Sequence, residues 1–344
     1  MSERTDALAR DGVLLARAAS GFALPVIDVT HPRFAVPDDD ASVGALRRAF
    51  MENERGHARA PRFLMRWIIA SAARKSRFLQ AVFNPGATFL DGITTYAMKL
   101  GEANLLPPFD GEVDRSFARS PHVTCLRLRM QQTAALIADA AARELSEMPG
   151  RPLHLVDIAG GPAMDAVNAL IFLARSAPEL LGPVRIVVLD PDESGPAFGA
   201  AALRELAQPG RSLHGLDVSM QRIAYDWAAT APLDDCVAAA TASGAVIVAS
   251  SEGGLFEYGS DEAIVRNLTS LHAAGRGARA VIGSVTSGDE HRRRMVAESS
   301  VKVIPRGLDG FAPLAARAGY AIARSRPAIV SDQVELVAVR SEGE

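Results

Sequence analysis

Residues 153–165 read LHLVDIAGGPAMD: an apolar run closed by an acid (Asp157), small residues Ala159, Gly160 and Gly161, then Pro162 and a second acid, Asp165. A third acid, Asp190, closes the next apolar run, VRIVVLD. A strand, a small-residue loop and a helix start are the parts of a nucleotide-cofactor site, because glycines let a ligand approach the backbone. A phosphate suits this loop poorly. Pro162 removes an N–H donor, and Asp165 sets a carboxylate where free amides would face an anion. The G-x-G-x-x-G pattern is absent, and Asp190 lies 30 positions after Gly160, whereas the ribose-binding acid of a dinucleotide fold lies about 20 beyond the glycines. A cation with a diol suits the same residues better. Asp157 would face an ammonium, and Asp190 would accept two ribose hydroxyls. S-adenosylmethionine carries an ammonium, a sulfonium and a ribose diol, and no phosphate.

The elements that must position these acids follow from periodicity. LHLVDI (153–158), VRIVVLD (184–190), GAVIVAS (244–250) and RAVIGSV (279–285) are wholly apolar runs, as strands buried on both faces require. Another strand lies between 211 and 226, with QRIAY preferred over SLHGL, and YAIARSR and QVELVAVR end the chain. Helical spacing fills the gaps near 163–176, 195–207, 231–242, 260–274 and 308–318. This is a doubly wound, Rossmann-like α/β sheet of seven mostly parallel strands over 151–344, whose ligand lies beyond the carboxyl ends of the strands. The first 150 residues show few strand signals. Helical spacing near 41–55, 60–83 and 92–100 carries Phe63, Trp67, Phe78 and Phe83 on an apolar face, and Ser120-Pro121 opens a long helix running to about 147. An all-α domain over 1–150 is predicted.

Composition narrows the partners. A net charge of −3 in 344 residues gives no basic excess for nucleic acid or an anionic membrane. The one dense basic cluster, His291-Arg292-Arg293-Arg294, reads as a solvated helix face. Cys125 and Cys236 lack metal-ligand spacing, which points to a reduced compartment without disulfides or zinc. The N-terminus has no uninterrupted apolar core, and no run approaches a membrane span. A cytoplasmic protein is expected.

Taken together, residues 151–340 resemble the class I S-adenosylmethionine-dependent methyltransferases. Asp157, Ala159, Gly161 and Ala163 stand at the places of that family's D-x-G-x-G-x-G, with alanine for two of three glycines. VVLDPD is similar to the family's second motif, which implies a ribose role for Asp190 and an adenine-edge role for Pro191 and Asp192. AYDWAA resembles the adenine segment, implying Asp226 for the exocyclic amine and Trp227 or Tyr225 for stacking. SSEGGLFEYGSDEA is similar to a stretch of the subgroup containing leucine carboxyl methyltransferases. It places Ser250, Ser251 and Glu252 near cofactor and substrate. The resemblance implies an antiparallel last strand and N-terminal helices that form a lid and choose the substrate.

Methyl transfer from a sulfonium is an in-line displacement that rests on alignment, with a base only where the nucleophile must lose a proton. His122 is the histidine placed to serve as that base. Tyr96 is the aromatic candidate for cation–π contact with the sulfonium, and Arg127 or Arg129 could reach the cofactor carboxylate. The acceptor would be a small molecule of specialised metabolism, and the helical part allows a homodimer. Three other readings stand: a cyclase resembling azetidine-2-carboxylate synthases, which needs no acceptor; a nicotinamide dehydrogenase; and a non-catalytic protein with this fold.

Overall fold

The computed structural model describes residues 3–59, 71–82, 91–290, 292–293, 296 and 302–339. Phe63, Trp67 and Phe83, assigned above to an apolar helix face, and His291 and Arg294 of the basic run lie outside these residues. The chain enters through α1 (Glu3–Arg10) and two short antiparallel strands, β1 (Leu15–Arg17) and β2 (Ala23–Pro25). Helices α2 (Asp40–Arg59), α3 (Arg77–Val82), α4 (Gly92–Lys99), α5 (Glu112–Ala118) and α6 (Pro121–Glu147) follow. Among the described residues, the first 150 are thus helical with one added hairpin. Three-residue strands give too few alternations for a period of two to be visible. Ser120 caps α6 by accepting from the Val123 amide at 3.3 Å, and Pro121 takes the first helical position, where its missing N–H is not needed.

From residue 153 strands and helices alternate: β3 (Leu153–Ile158), α7 (Met164–Ser176), β4 (Val184–Leu189), α8 (Ser194–Leu206), β5 (Val218–Ile223), α9 (Ala231–Ala242), β6 (Val246–Ser251), α10 (Leu255–Tyr258), α11 (Asp261–His272), β7 (Ala280–Thr286), α12 (Gly307–Arg317), β8 (Tyr320–Pro327) and β9 (Ser331–Ala338). They build a seven-stranded sheet of order β5-β4-β3-β6-β7-β9-β8, with β3 to β7 parallel and β9 antiparallel to both neighbours. The preferred run QRIAY contributes only its first three residues to β5, so Tyr225 lies past the strand end.

Alternation explains why the central strands are apolar throughout. Leu153, Leu155, Val184, Ile186, Val246 and Val248 face one core, shared with α6, α7 and α8. Val156, Ile158, Val187, Leu189, Ile247 and Ala249 face the other, under α9, α11 and α12. Both faces are covered, as a parallel sheet requires. The long helix α6 packs on α7 and against β6, β7 and β9, so it belongs to the sheet's covering layer. The first core also takes in Leu24, Ile27 and Tyr96, so residues before 150 share it with the sheet. β3 is the topological switch point, with β4 on one side and β6 on the other. The crevice at the carboxyl ends of these strands is where such a fold binds ligands.

Candidate active site

At that crevice the loop after β3 turns sharply. Ala159, Gly161 and Ala163 all adopt positive φ, at +57°, +52° and +52°. These are the three positions that the motif resemblance aligns with glycine. Alanine in this conformation costs about 1 kcal/mol per residue, so the loop holds its turn at some strain. Gly160 has a different reason to lack a side chain: a Cβ there would lie 1.9 Å from Asp157 Oδ2. Asp157 is fully buried and folds back under the loop. Neither of its carboxylate oxygens finds a donor among the described residues, and Asp165 Oδ2 at the start of α7 finds none either. Burial raises the Asp157 pKa well above the usual carboxylate range, and the facing Asp165 carboxyl raises it further. Asp165 is raised by burial and by the charge of Glu252. The two form a carboxyl pair able to share a proton, with room in its electrostatics for a cation.

Asp190, beyond the end of β4, accepts from the Gly161 amide through Oδ2 (2.9 Å) and from the Asp192 amide through Oδ1 (2.8 Å). It therefore ties the loop after β3 to the loop after β4 and keeps a lone pair on each oxygen for a diol. Burial raises its pKa, and these two bonds oppose the rise. Asp192 is spent locally: it accepts from the Ser194 amide and hydroxyl (3.0 and 2.7 Å) and from the Gly92 amide (3.3 Å). Pro162 lines the cavity, and its carbonyl lies so close to α8 that a Cβ at Gly199 would meet it at 2.2 Å.

Glu252, after β6, meets Lys99 at the end of α4 and Arg129 in α6, both as direct ion pairs. Arg129 also donates through one guanidinium nitrogen to both oxygens of Glu257, each at 3.1 Å. Burial would raise the Glu252 pKa, but Arg129 and Lys99 outweigh it and hold it at about 2. It is a permanent carboxylate. Such a group orients and balances charge; it does not shuttle protons at neutral pH.

The remaining residues divide by how much of them is free. The Tyr96 ring lines the cavity, but its hydroxyl donates to the Pro25 carbonyl and accepts from the Ile27 amide at 2.9 Å. Burial raises its pKa, so the hydroxyl is a pin for the N-terminal segment rather than an acid or base. Asn168 of α7 pins the same segment, accepting from Val29 N and donating to Ile27 O. His122 lines the cavity, with its ring stacked on Phe50 at 6.0 Å. Burial, then Arg292 and Arg129, bring its pKa down to about 4, so it is neutral at pH 7. Pro191, Asp226 and Trp227 line the cavity, and Asp226 accepts from the Ala228 amide at 2.9 Å. Tyr225 borders the cavity but belongs to the second core, its hydroxyl donating to Asn267 Oδ1. Ser250 and Ser251 are buried outside the lining. The Ser251 hydroxyl donates to Ile158 O and accepts from Leu255 N (2.9 and 2.8 Å), which straps β3 to β6. Arg127 is likewise occupied elsewhere, donating to Phe34 O.

Four functional groups escaped the sequence reading. Lys99 and Glu257 had no visible partner along the chain. Asp165 was read only as an obstacle to phosphate. Arg292 was placed with its run on a solvated face, whereas it lines the cavity; Arg293 beside it is exposed. The cavity enclosed by these residues has a volume of about 1020 Å³ and runs from the loop after β3 to α6.

The strand order and the crevice at β3 define a doubly wound α/β fold. No family model and no curated protein sequence matches the chain. Its structure is similar to that of a "possible exported protein" from Bordetella parapertussis, with 15% identity, a TM-score of 0.51 and coverage of 87% of this chain and 96% of that one. It is also similar to a methyltransferase of calicheamicin biosynthesis solved with S-adenosylhomocysteine (16% identity, TM-score 0.38, 67% of this chain and 60% of that one). A third similar structure is an O-methyltransferase of neocarzinostatin biosynthesis in complex with S-adenosylmethionine and 2-hydroxy-5-methyl naphthoic acid (23% identity, TM-score 0.34, 54% and 49%). The chain spans 60% of the former methyltransferase and about half of the latter. These likenesses concern the fold.

Proposed function

We propose that the chain is an S-adenosylmethionine-dependent methyltransferase acting on a small molecule. One observation carries this reading: a single cavity is lined by the strand-end acid Asp190, by Asp165, whose buried carboxyl faces Asp157 behind the loop, and by apolar side chains of α6 such as Leu126 and Met130. The donor set fits the cofactor. Asp165 lines the cavity with the unpartnered Asp157 carboxyl directly behind it, a negative pair that would attract an ammonium, Asp190 offers lone pairs to a ribose, and Pro191, Asp226 and Trp227 border the adenine side. When bound, the cofactor supplies a methyl group on a sulfonium. The chain's own part is to bind and orient. Glu252, fixed by Lys99 and Arg129, keeps the middle of the cavity charged and rigid, and neutral His122 can accept a proton from an acceptor hydroxyl or amine.

A volume of about 1020 Å³ lies at the upper end of the roughly 300–1,000 Å³ of a small-molecule site, which leaves space for an acceptor beside a cofactor. A cyclase needs no such second compartment. Titration calorimetry tests the binding step: S-adenosylhomocysteine binds in the micromolar range and NAD does not. Incubation with S-adenosylmethionine alone then gives no turnover until an acceptor is added. Release of methylthioadenosine would instead assign the cyclisation. Failure to bind S-adenosylhomocysteine would remove the proposal.

A further inference from the structure

Charges in the middle of the cavity balance. Lys99 and Arg129 meet Glu252 and Glu257, two cations for two carboxylates. Among the described residues Arg292 has no such carboxylate partner. Its backbone N–H donates to the exposed Asp289 carboxylate at 2.8 Å. Among the described residues, no hydrogen bond or ion pair reaches its guanidinium, and its Nε is buried without an acceptor. Glu257 is the opposing charge that acts on it most strongly, but the hydrogen bonds of that carboxylate go to Arg129. A buried guanidinium without an acceptor is costly, and this one faces the cavity beside His122, whose pKa it depresses. The same cavity is also lined by the apolar side chains of Phe117, Leu126, Met130, Val296 and Val303.

Resting on the methyltransferase reading, we propose that Arg292 is a specificity residue that seats a carboxylate of the acceptor, so that this cavity takes a monocarboxylic acid with an apolar body. The fork of a guanidinium matches the two oxygens of a carboxylate. One positive charge, unpaired among the described residues, matches one negative charge. A phosphate dianion would need further free cations, and Lys99 and Arg129 are already engaged. The acid also reaches His122: a carboxylate on Arg292 offsets the charge that depresses the imidazole, so binding of the acceptor makes the neighbouring base stronger.

The test uses the full chain saturated with S-adenosylhomocysteine and ligand-observed NMR titration of three probes: 3-phenylpropanoate, its neutral amide, and phenyl phosphate. The wild type binds the acid at least tenfold more tightly than the amide or the phosphate. Arg292→Gln loses that preference while its affinity for S-adenosylhomocysteine stays within twofold, which also reports that it is folded. Arg292→Lys keeps part of the preference. Equal binding of acid and amide by the wild type, a preference for phenyl phosphate, or an Arg292→Gln variant that loses S-adenosylhomocysteine instead of the acid each overturns the assignment. If the wild type fails to bind S-adenosylhomocysteine, the cofactor reading falls, and the acid-against-amide comparison on the chain alone still decides Arg292.

Discussion

The two ends of the cavity carry opposite deficits. At the loop after β3, Asp157 and Asp165 are carboxyl groups short of donors. Near His122 of α6, the Nε of Arg292 is buried short of an acceptor. Between them Lys99, Arg129, Glu252 and Glu257 are fully paired. Paired buried charges fix a geometry and ask nothing of a ligand, while an unpaired one is stabilised only by what arrives. The difference between ends and middle therefore separates the residues that build the site from those that read its ligands.

The largest expected effect lies in the paired middle. Glu252→Ala leaves Lys99 buried without its partner and should lower stability by about 3–5 kcal/mol, measured by denaturant unfolding. A loss below about 1 kcal/mol would mean that the centre is not the scaffold claimed here. Because its pKa is depressed in the folded chain, Glu252 contributes stability above its ordinary range near 4.5, and this is lost as pH falls toward about 2.

At the acidic end, Asp190→Ala should weaken S-adenosylhomocysteine binding at least tenfold, about 1.4 kcal/mol. An unchanged affinity in the folded variant would move the ribose elsewhere. The carboxyl pair makes a pH-dependent claim with a definite sign. Its raised pKa means that the ligand-free folded chain holds extra protons, stability that fades as pH rises through the folded pKa. A ligand ammonium favours the ionised pair, so binding releases protons and tightens with rising pH. Calorimetry in buffers of different ionisation heat measures that release, and none at all would contradict the ammonium site.

At the basic end, Arg292→Gln should raise the His122 pKa from about 4, though not to the usual 6.5, because burial is the larger cause. Imidazole proton NMR follows this titration, and an unmoved value would separate the two residues. The smallest effect belongs to the loop. Ala163→Gly relieves a positive φ at some cost in unfolded-chain entropy, for a net gain below about 1 kcal/mol. A clear loss of stability would show that the alanine methyl matters more than the turn.

Much of the fold was legible because central strands covered on both faces must be apolar at every position, and Ser120-Pro121 marks a helix start by local chemistry. The candidate site was legible where strand ends mark its acids, as at Asp157 and Asp190. It was not where partners come from afar. Glu252 looks like a free acid in sequence, yet its cations lie 153 and 123 residues away. Tyr96 looks like an available aromatic until Pro25 and Ile27 claim its hydroxyl. Arg292 and Arg293 are neighbours in one basic run, and only their packing shows that the first faces inward.

Gly92 at the start of α4, Gly161 in the loop and Gly195 in α8 meet backbone to backbone, and a Cβ on Gly92 would stand 3.2–3.3 Å from the other two Cα atoms. Side chains between packed segments can change rotamer and absorb a displacement; bare main chain cannot. At this point the molecule has a rigid coupling without a cushion. A shift of α4, which carries Lys99 at its far end, is delivered undamped to the turn that covers Asp157, so the helical half and the ligand loop behave here as one lever.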